Sequence, residues 1–169
     1  MANDGKFLNL ESGKKKLDQA INASAGAGDA SKIVRTDGTG RLDSSLLPVG
    51  VGADTLSIEA SETLAAGDFV NIFDDSSTPK IRKADATNGR DADGFVLAGV
   101  TSGANGDVYF EGTNTQLSGM TIGARQYLGA TGAVTETPNT TATQLHQFLG
   151  KASSATELNI EITDQVVLG

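Results

Sequence analysis

From Leu56 onward, short apolar segments recur at a spacing of about ten residues, each closed by Gly, Asp, Asn or Ser. The series runs "TLSIEAS", "FVNIF", "KIRKAD", "FVLAGV", "VYFEG", "IGARQYLG", "ATGAVTET", "LHQFLGKA", "ELNIEI" and "QVVL". Several members alternate apolar and polar residues, the period of a half-buried strand, and "FVLAGV" is a continuous run suited to a buried one. Turn signals this frequent leave no room for long helices, and hairpin-like connections throughout predict an antiparallel β-barrel or β-sandwich. The 21 glycines, three prolines and absence of tryptophan agree with short strands and tight turns. Phe69, Ile72, Phe95, Val96, Leu97, Val108, Phe110, Tyr127, Leu128, Phe148, Leu149, Leu158, Ile160 and Ile162 are expected in the core or at a subunit contact, two sets that the sequence does not divide.

The first fifty residues read differently. Ser12 is a candidate N-cap, and Leu17, Ala20, Ile21 and Ser24 form a stripe at helical spacing, so a short helix is expected over about 12–24. "SAGAGDAS" reads as a flexible break, Lys32 to Val34 as a short strand, "TDGTGR" as a turn, and Leu42, Leu46 and Leu47 as a last apolar patch before Pro48. Patches this small, separated by breaks, describe an extended N-terminal arm over 1–50 that lies on another surface. A mainly β body is expected over 51–169.

Charge follows the same division. Residues 1–50 carry seven Lys and Arg against six Asp and Glu, net +1, and the remainder carries six against fifteen, net −9. An acidic body argues against non-specific nucleic-acid binding, which needs clustered bases. With no cysteine there is no disulfide framework or thiolate metal site. An apolar signal segment is missing at the start, and no run approaches 18 apolar residues, so the expectation is a protein made in the cytosol that stays soluble and contacts no membrane.

The search for chemistry favours a non-enzyme. His146 is the sole histidine, and no partner for metal binding or acid–base work is announced. "DGTGRLD" alternates oxygen ligands with glycine but lacks the EF-hand ladder and its terminal Glu, so a plain turn is the better reading. Asp74, Asp75, Asp91 and Asp93 lie in acidic loops that read as solvated turns before they read as cation sites. The glycine runs "GAGDAS" and "GANGD" do not sit between strand and helix as phosphate loops do. Lys14, Lys15 and Lys16 are a solvated charge run or a meeting point for an acidic partner. Neither cofactor nor metal is expected.

The stretch "KIVRTDGTGRLDSSLLPVGVGADT" resembles the linker of head decoration proteins of tailed bacteriophages, also called capsid cement or head fibre proteins. Similarity continues through "LAAGDFVNIF", "KIRKADAT", "ADGFVLAGV", "VYFEGTNTQLSG", "GARQYLGATGAVTETP", "QFLGKASSATELNIEI" and "VVLG", in that order. This resemblance implies a protein on the outer surface of the capsid, a homotrimer at three-fold positions that binds the major capsid protein and cements neighbouring capsomers. On that view Phe7, Leu8, Leu10, Leu17, Ile21, Ile33, Val34, Leu42, Leu46 and Leu47 are the candidates for burial against capsid or sister subunit. The simpler alternative is that each packs on its own domain. A fibre or receptor-binding module that contacts host glycan is the rival function, and an envelope glycan hydrolase is a third.

Overall fold

In a computed structural model of the protein, residues 6–47 and 53–169 are described. Two compact units result, Met1–Gly52 and Ala53–Gly169. Pro48, expected to end the arm, lies outside the described residues.

The first unit holds no helix over 12–24. Strand β1 (Lys6–Glu11) pairs antiparallel with β2 (Lys14–Gln19), with Leu8 opposite Leu17 and Leu10 opposite Lys15. Ser12 and Gly13, at φ 51° and 76°, form the two-residue connection, both in the left-handed region that type I′ hairpin turns require. Ser12 is thus a turn residue and not a helix cap. The helical stripe failed because cross-strand partners, which a local window does not see, satisfy residues 14–19 first. Further on, a 3₁₀ turn at Ala27–Asp29 replaces the expected flexible break, and a second follows at Ser44–Leu46. The expected strand at Lys32–Val34 is reduced to a single parallel bridge: the Ile21 N–H donates to the Ile33 carbonyl (3.0 Å) and the Arg35 N–H to the Ile21 carbonyl (2.8 Å).

The second unit is built of β-strands. Strands β3 (Thr55–Ala60), β4 (Phe69–Asp74), β5 (Pro79–Lys83), β6 (Gly94–Val96) and β7 (Asn105–Tyr109) close a barrel in the order β3-β5-β4-β6-β7. One seam departs from the all-antiparallel expectation: β3 and β5 run parallel, Glu59 beside Lys80 and Ala60 beside Ile81. A second sheet has the order β10-β9-β12-β13-β8, formed by β8 (Thr113–Asn114), β9 (Arg125–Leu128), β10 (Val134–Thr135), β12 (Phe148–Ala152) and β13 (Leu158–Ile160). Strand β11 (Leu145–His146) pairs separately with β14 (Val166–Val167).

Two apolar cores hold this unit together. One gathers Ile58, Ala60, Leu64, Val70, Ile81, Val96, Val100 and Val108; the other gathers Phe69, Phe95, Met120, Leu128, Leu145, Leu149 and Leu158 with several alanines. Strands β4 and β6 serve both, because neighbouring residues point to opposite faces: Phe69 and Phe95 enter one core, Val70 and Val96 the other. This explains the continuous apolar start of "FVLAGV", although the strand itself ends at Val96. Of the fourteen expected core or contact positions, Phe69, Phe95, Val96, Val108, Leu128, Leu149 and Leu158 are buried, and the rest are half-buried. The β12–β9 register shifts between Phe148 and Gly150, and Gly150 lies close to β13: at φ 150°, a Cβ there would stand 2.0 Å from the Asn159 carbonyl oxygen. Buried Gln147 fastens three backbone groups, accepting from the Ala92 N–H (2.7 Å) and donating to the carbonyls of Ala92 (3.0 Å) and Thr163 (3.1 Å).

Candidate docking surface

The ten sequence-selected apolar residues fall into three groups. Leu8 and Leu17 stand directly opposite on the hairpin, and Leu10 lies two residues from Leu8, so all three share one face. Their exposures of 62%, 66% and 68% mean that nothing in their own unit covers them. Phe7 belongs to the other face, opposite Asp18, and is half-buried. Ile21 and Val34 meet at the parallel bridge; Ile21 is half-buried, whereas Val34 and Ile33 are exposed. Leu42 and Leu47 are exposed and Leu46, on the second 3₁₀ turn, is half-buried. Among the described residues of this unit, the buried apolar side chain is Ala20.

Carboxylates fix the turns in place of a core. Asp37 Oδ1 accepts from the Thr39 N–H (2.8 Å), the Thr39 hydroxyl (2.7 Å) and the Arg41 N–H (3.0 Å), which makes "DGTGR" an aspartate-closed turn. Those bonds, the Arg41 backbone first, hold its carboxyl below the ordinary range. Asp43 does the same for the 3₁₀ turn, accepting from the Ser45 hydroxyl (2.5 Å) and N–H (2.9 Å), while Ser45 Oγ accepts from the Ser24 N–H (2.8 Å). Asp29 accepts from Lys32 Nζ (2.7 Å) and the Ala25 N–H (2.6 Å). Hydrogen bonds from Lys32 and Ser45, respectively, lead in lowering the Asp29 and Asp43 carboxyls.

On the hairpin's second face, Asn9 Nδ2 donates to Asp18 (2.9 Å) and Lys16 Nζ lies 3.5 Å from the same carboxylate. That face and residues 30–32 line a groove of about 450 Å³. The hairpin thus turns the face that carries Phe7 and Asp18, both half-buried, toward residues 30–32 and leaves its leucine face outward.

In the second unit the acidic loops are engaged internally. Asp75 pairs with Lys80 (2.8 Å). Asp93 accepts from the Ile72 N–H (2.6 Å), Asn71 Nδ2 donates to Asp91 (3.0 Å), and Arg82 Nε donates to Asn71 Oδ1 (2.9 Å). Burial raises the Asp93 carboxyl above its ordinary value, and neighbouring Asp91 adds to the effect. Among the described residues no three His, Cys, Asp or Glu are placed to hold a metal ion, and no helix is long and apolar enough to cross a membrane.

His146 joins an aromatic row that the sequence did not reveal. It meets Tyr127 edge-on at 5.1 Å; Tyr127 meets Phe148 at 5.9 Å; and the Arg125 guanidinium lies 4.6 Å from the Phe148 ring centre. The rings occupy strands and engage one another, unlike the exposed loop aromatics expected of a glycan-binding module. Register brings Tyr127 and Phe148 together, since they stand opposite on β9 and β12.

No family model and no curated protein matches the chain. Among solved structures it is similar to the crystal structure of the head fibre gp8.5 N base of bacteriophage phi29. Identity is 13% and the TM-score 0.45, over 65% of this chain and 95% of that one.

Proposed function

We propose that this protein is a structural component of a tailed-phage head, which binds the outer surface of the capsid as a homotrimer and cements neighbouring capsomers. The observation that carries the reading is the exposed leucine face on a unit with almost no core of its own. Among its described residues the buried apolar side chain is Ala20, and a lone two-stranded hairpin is marginal in water. A partner that covers Leu8, Leu10 and Leu17 supplies the missing burial, and the ordered motif resemblance to head decoration proteins points to the capsid as that partner. The body adds an independently cored, acidic platform, and three linked units reach high avidity from modest single affinities.

Virions with and without this protein, compared for occupancy on the shell and for DNA retained on heating, test the proposal. The cement function requires the protein on heads and earlier DNA loss without it. A head-free distribution, or shells equally robust in its absence, defeats it. Deletion of residues 1–52 should leave a folded body that no longer binds capsids.

A further inference from the structure

Asn is followed by Gly twice in this chain, at Asn88–Gly89 and at Asn105–Gly106, and the fold holds the two pairs in opposite ways. Asn88 and Gly89 lie in a surface turn closed by Asp85 and Arg90. The Asp85 N–H donates to the Arg90 carbonyl (2.7 Å) and the Arg90 N–H to the Asp85 carbonyl (3.1 Å). Both Asn88 and Gly89 are exposed, Gly89 stands at φ 78°, and a Cβ there would meet nothing within 4 Å. Among the described residues, neither the Asn88 side-chain amide nor the Gly89 N–H has a hydrogen-bond partner. Asn105 and Gly106 instead belong to β7, opposite Glu59 and Ile58 of β3. Gly106 is buried, and a Cβ there would stand 2.6 Å from the Val100 side chain, so this stretch of backbone has no room to turn.

We infer that Asn88 is a site of spontaneous deamidation in the folded protein and that Asn105, with the same dipeptide, is protected. The backbone nitrogen of Gly89 attacks the side-chain carbonyl carbon of Asn88. The new C–N bond closes a cyclic imide, the bond to the amide nitrogen breaks, and that nitrogen leaves as ammonia with the proton given up by Gly89. Water then opens the imide at either carbonyl, which leaves aspartate or isoaspartate; water is the co-reactant and no oxidant or reductant takes part. Glycine favours the attack because it has no Cβ to crowd the ring and leaves the backbone free to rotate. In a strand the same rotation breaks ladder hydrogen bonds. Either product sets a new carboxylate beside Arg90, whose Nη1 lies 3.9 Å from Glu62. Isoaspartate also lengthens the backbone of the turn over 86–89. Ala86 is tied down, donating to the Gly129 carbonyl (2.9 Å) and accepting from the Leu145 N–H (2.9 Å), so the added length is taken up at the Asp85–Arg90 closure.

The full chain is incubated in mildly alkaline water enriched in heavy oxygen, folded and in urea. Peptide mapping by mass spectrometry, with fragmentation that separates aspartate from isoaspartate, follows both sites. In the folded chain Asn88 should convert at least about tenfold faster than Asn105, which reacts only from the small open population of β7. The product should carry one oxygen from solvent. In urea the two rates should converge to within about threefold, because the fold alone separates them. N88Q, checked for fold by circular dichroism, should lack the acidic form that accumulates in the wild-type chain and should keep the slow exchange of the Arg90 amide that the isoaspartate form loses. An Asn88 that stays intact in the folded chain overturns the inference. So does conversion of Asn105 at an equal or higher rate.

Discussion

The two units of this chain are held together by opposite means. In Ala53–Gly169, apolar side chains are inside and buried polar groups such as Gln147 and Asn114 find partners, the latter donating to the Gly67 carbonyl at 2.9 Å. In the first unit, aspartates at 29, 37 and 43 close the turns while leucines face outward. The first arrangement is self-sufficient, since about 25 cal/mol per Å² of buried apolar area offsets the ordering of the chain. The second fixes shape without supplying much stability, because a hydrogen bond between exposed groups mostly replaces one to water. A segment shaped in advance but not stabilised by burial suits docking, where preorganisation lowers the entropy lost on binding.

The sharpest way to break this contrast is Phe95→Ala. Phe95 is fully buried and packs against Phe69 and Tyr109 at ring separations of 6.0 and 5.6 Å. Truncation should lower the stability of the second unit by about 3–5 kcal/mol, measured by urea unfolding. The same experiment should leave hairpin amide exchange unaltered; coupled loss of both would mean that the units fold as one. Gln147→Leu comes next. It fills similar volume but leaves the Ala92 N–H and the Ala92 and Thr163 carbonyls without their side-chain partner. A cost of about 2 kcal/mol or more follows if these groups stay dry. A neutral result would show that water replaces the amide.

Legibility in the sequence divides along the same line. The barrel strands were visible because their cause is local: alternation in "FVNIF" and punctuation by "DDSSTP" need no knowledge of the partner. The parallel β3–β5 seam was not, because pairing of strands so far apart is decided by barrel closure. The hairpin was misread as helix although "SG" between two strand-length runs is a turn signal. Its local cue competed with the spacing of Leu17, Ala20 and Ile21, and the cross-strand register decided the outcome. The same register separates Phe7 from Leu8, Leu10 and Leu17 and sets Lys15 beside them, so the candidate surface could be drawn only after the strands were paired.

Acid should act with different signs at Asp29, Asp37 and Asp43 of the first unit and at Asp93 of the second. Asp29, Asp37 and Asp43 have lowered carboxyls, so their contribution is complete above the ordinary value of about 3.9 and is lost as pH falls toward their folded values. Asp93 is raised by burial, so its contribution is complete below about 3.9 and is lost as pH rises through its folded value. Acidification from neutrality to about pH 4 therefore relieves Asp93 while the turns of the first unit still hold. Further acid loosens them. Glu136, lowered by the Thr121 N–H, follows the first pattern within the second unit. Carboxyl titration by NMR reads the signs directly, and a raised Asp37 or a lowered Asp93 would contradict the assignment of causes.

The smallest effect is the most diagnostic. Leu10→Ala removes an exposed side chain opposite a lysine, with no packing in its own unit to lose. The opening free energy of the hairpin, taken from hydrogen exchange of its β1–β2 amides, should move by less than about 0.5 kcal/mol. Truncation of a leucine packed in a core costs about 2–5 kcal/mol. A loss above about 1 kcal/mol in the free chain would therefore mean that the leucine face is covered by its own protein. The hairpin would then have a core of its own, and the difference between the two units would disappear.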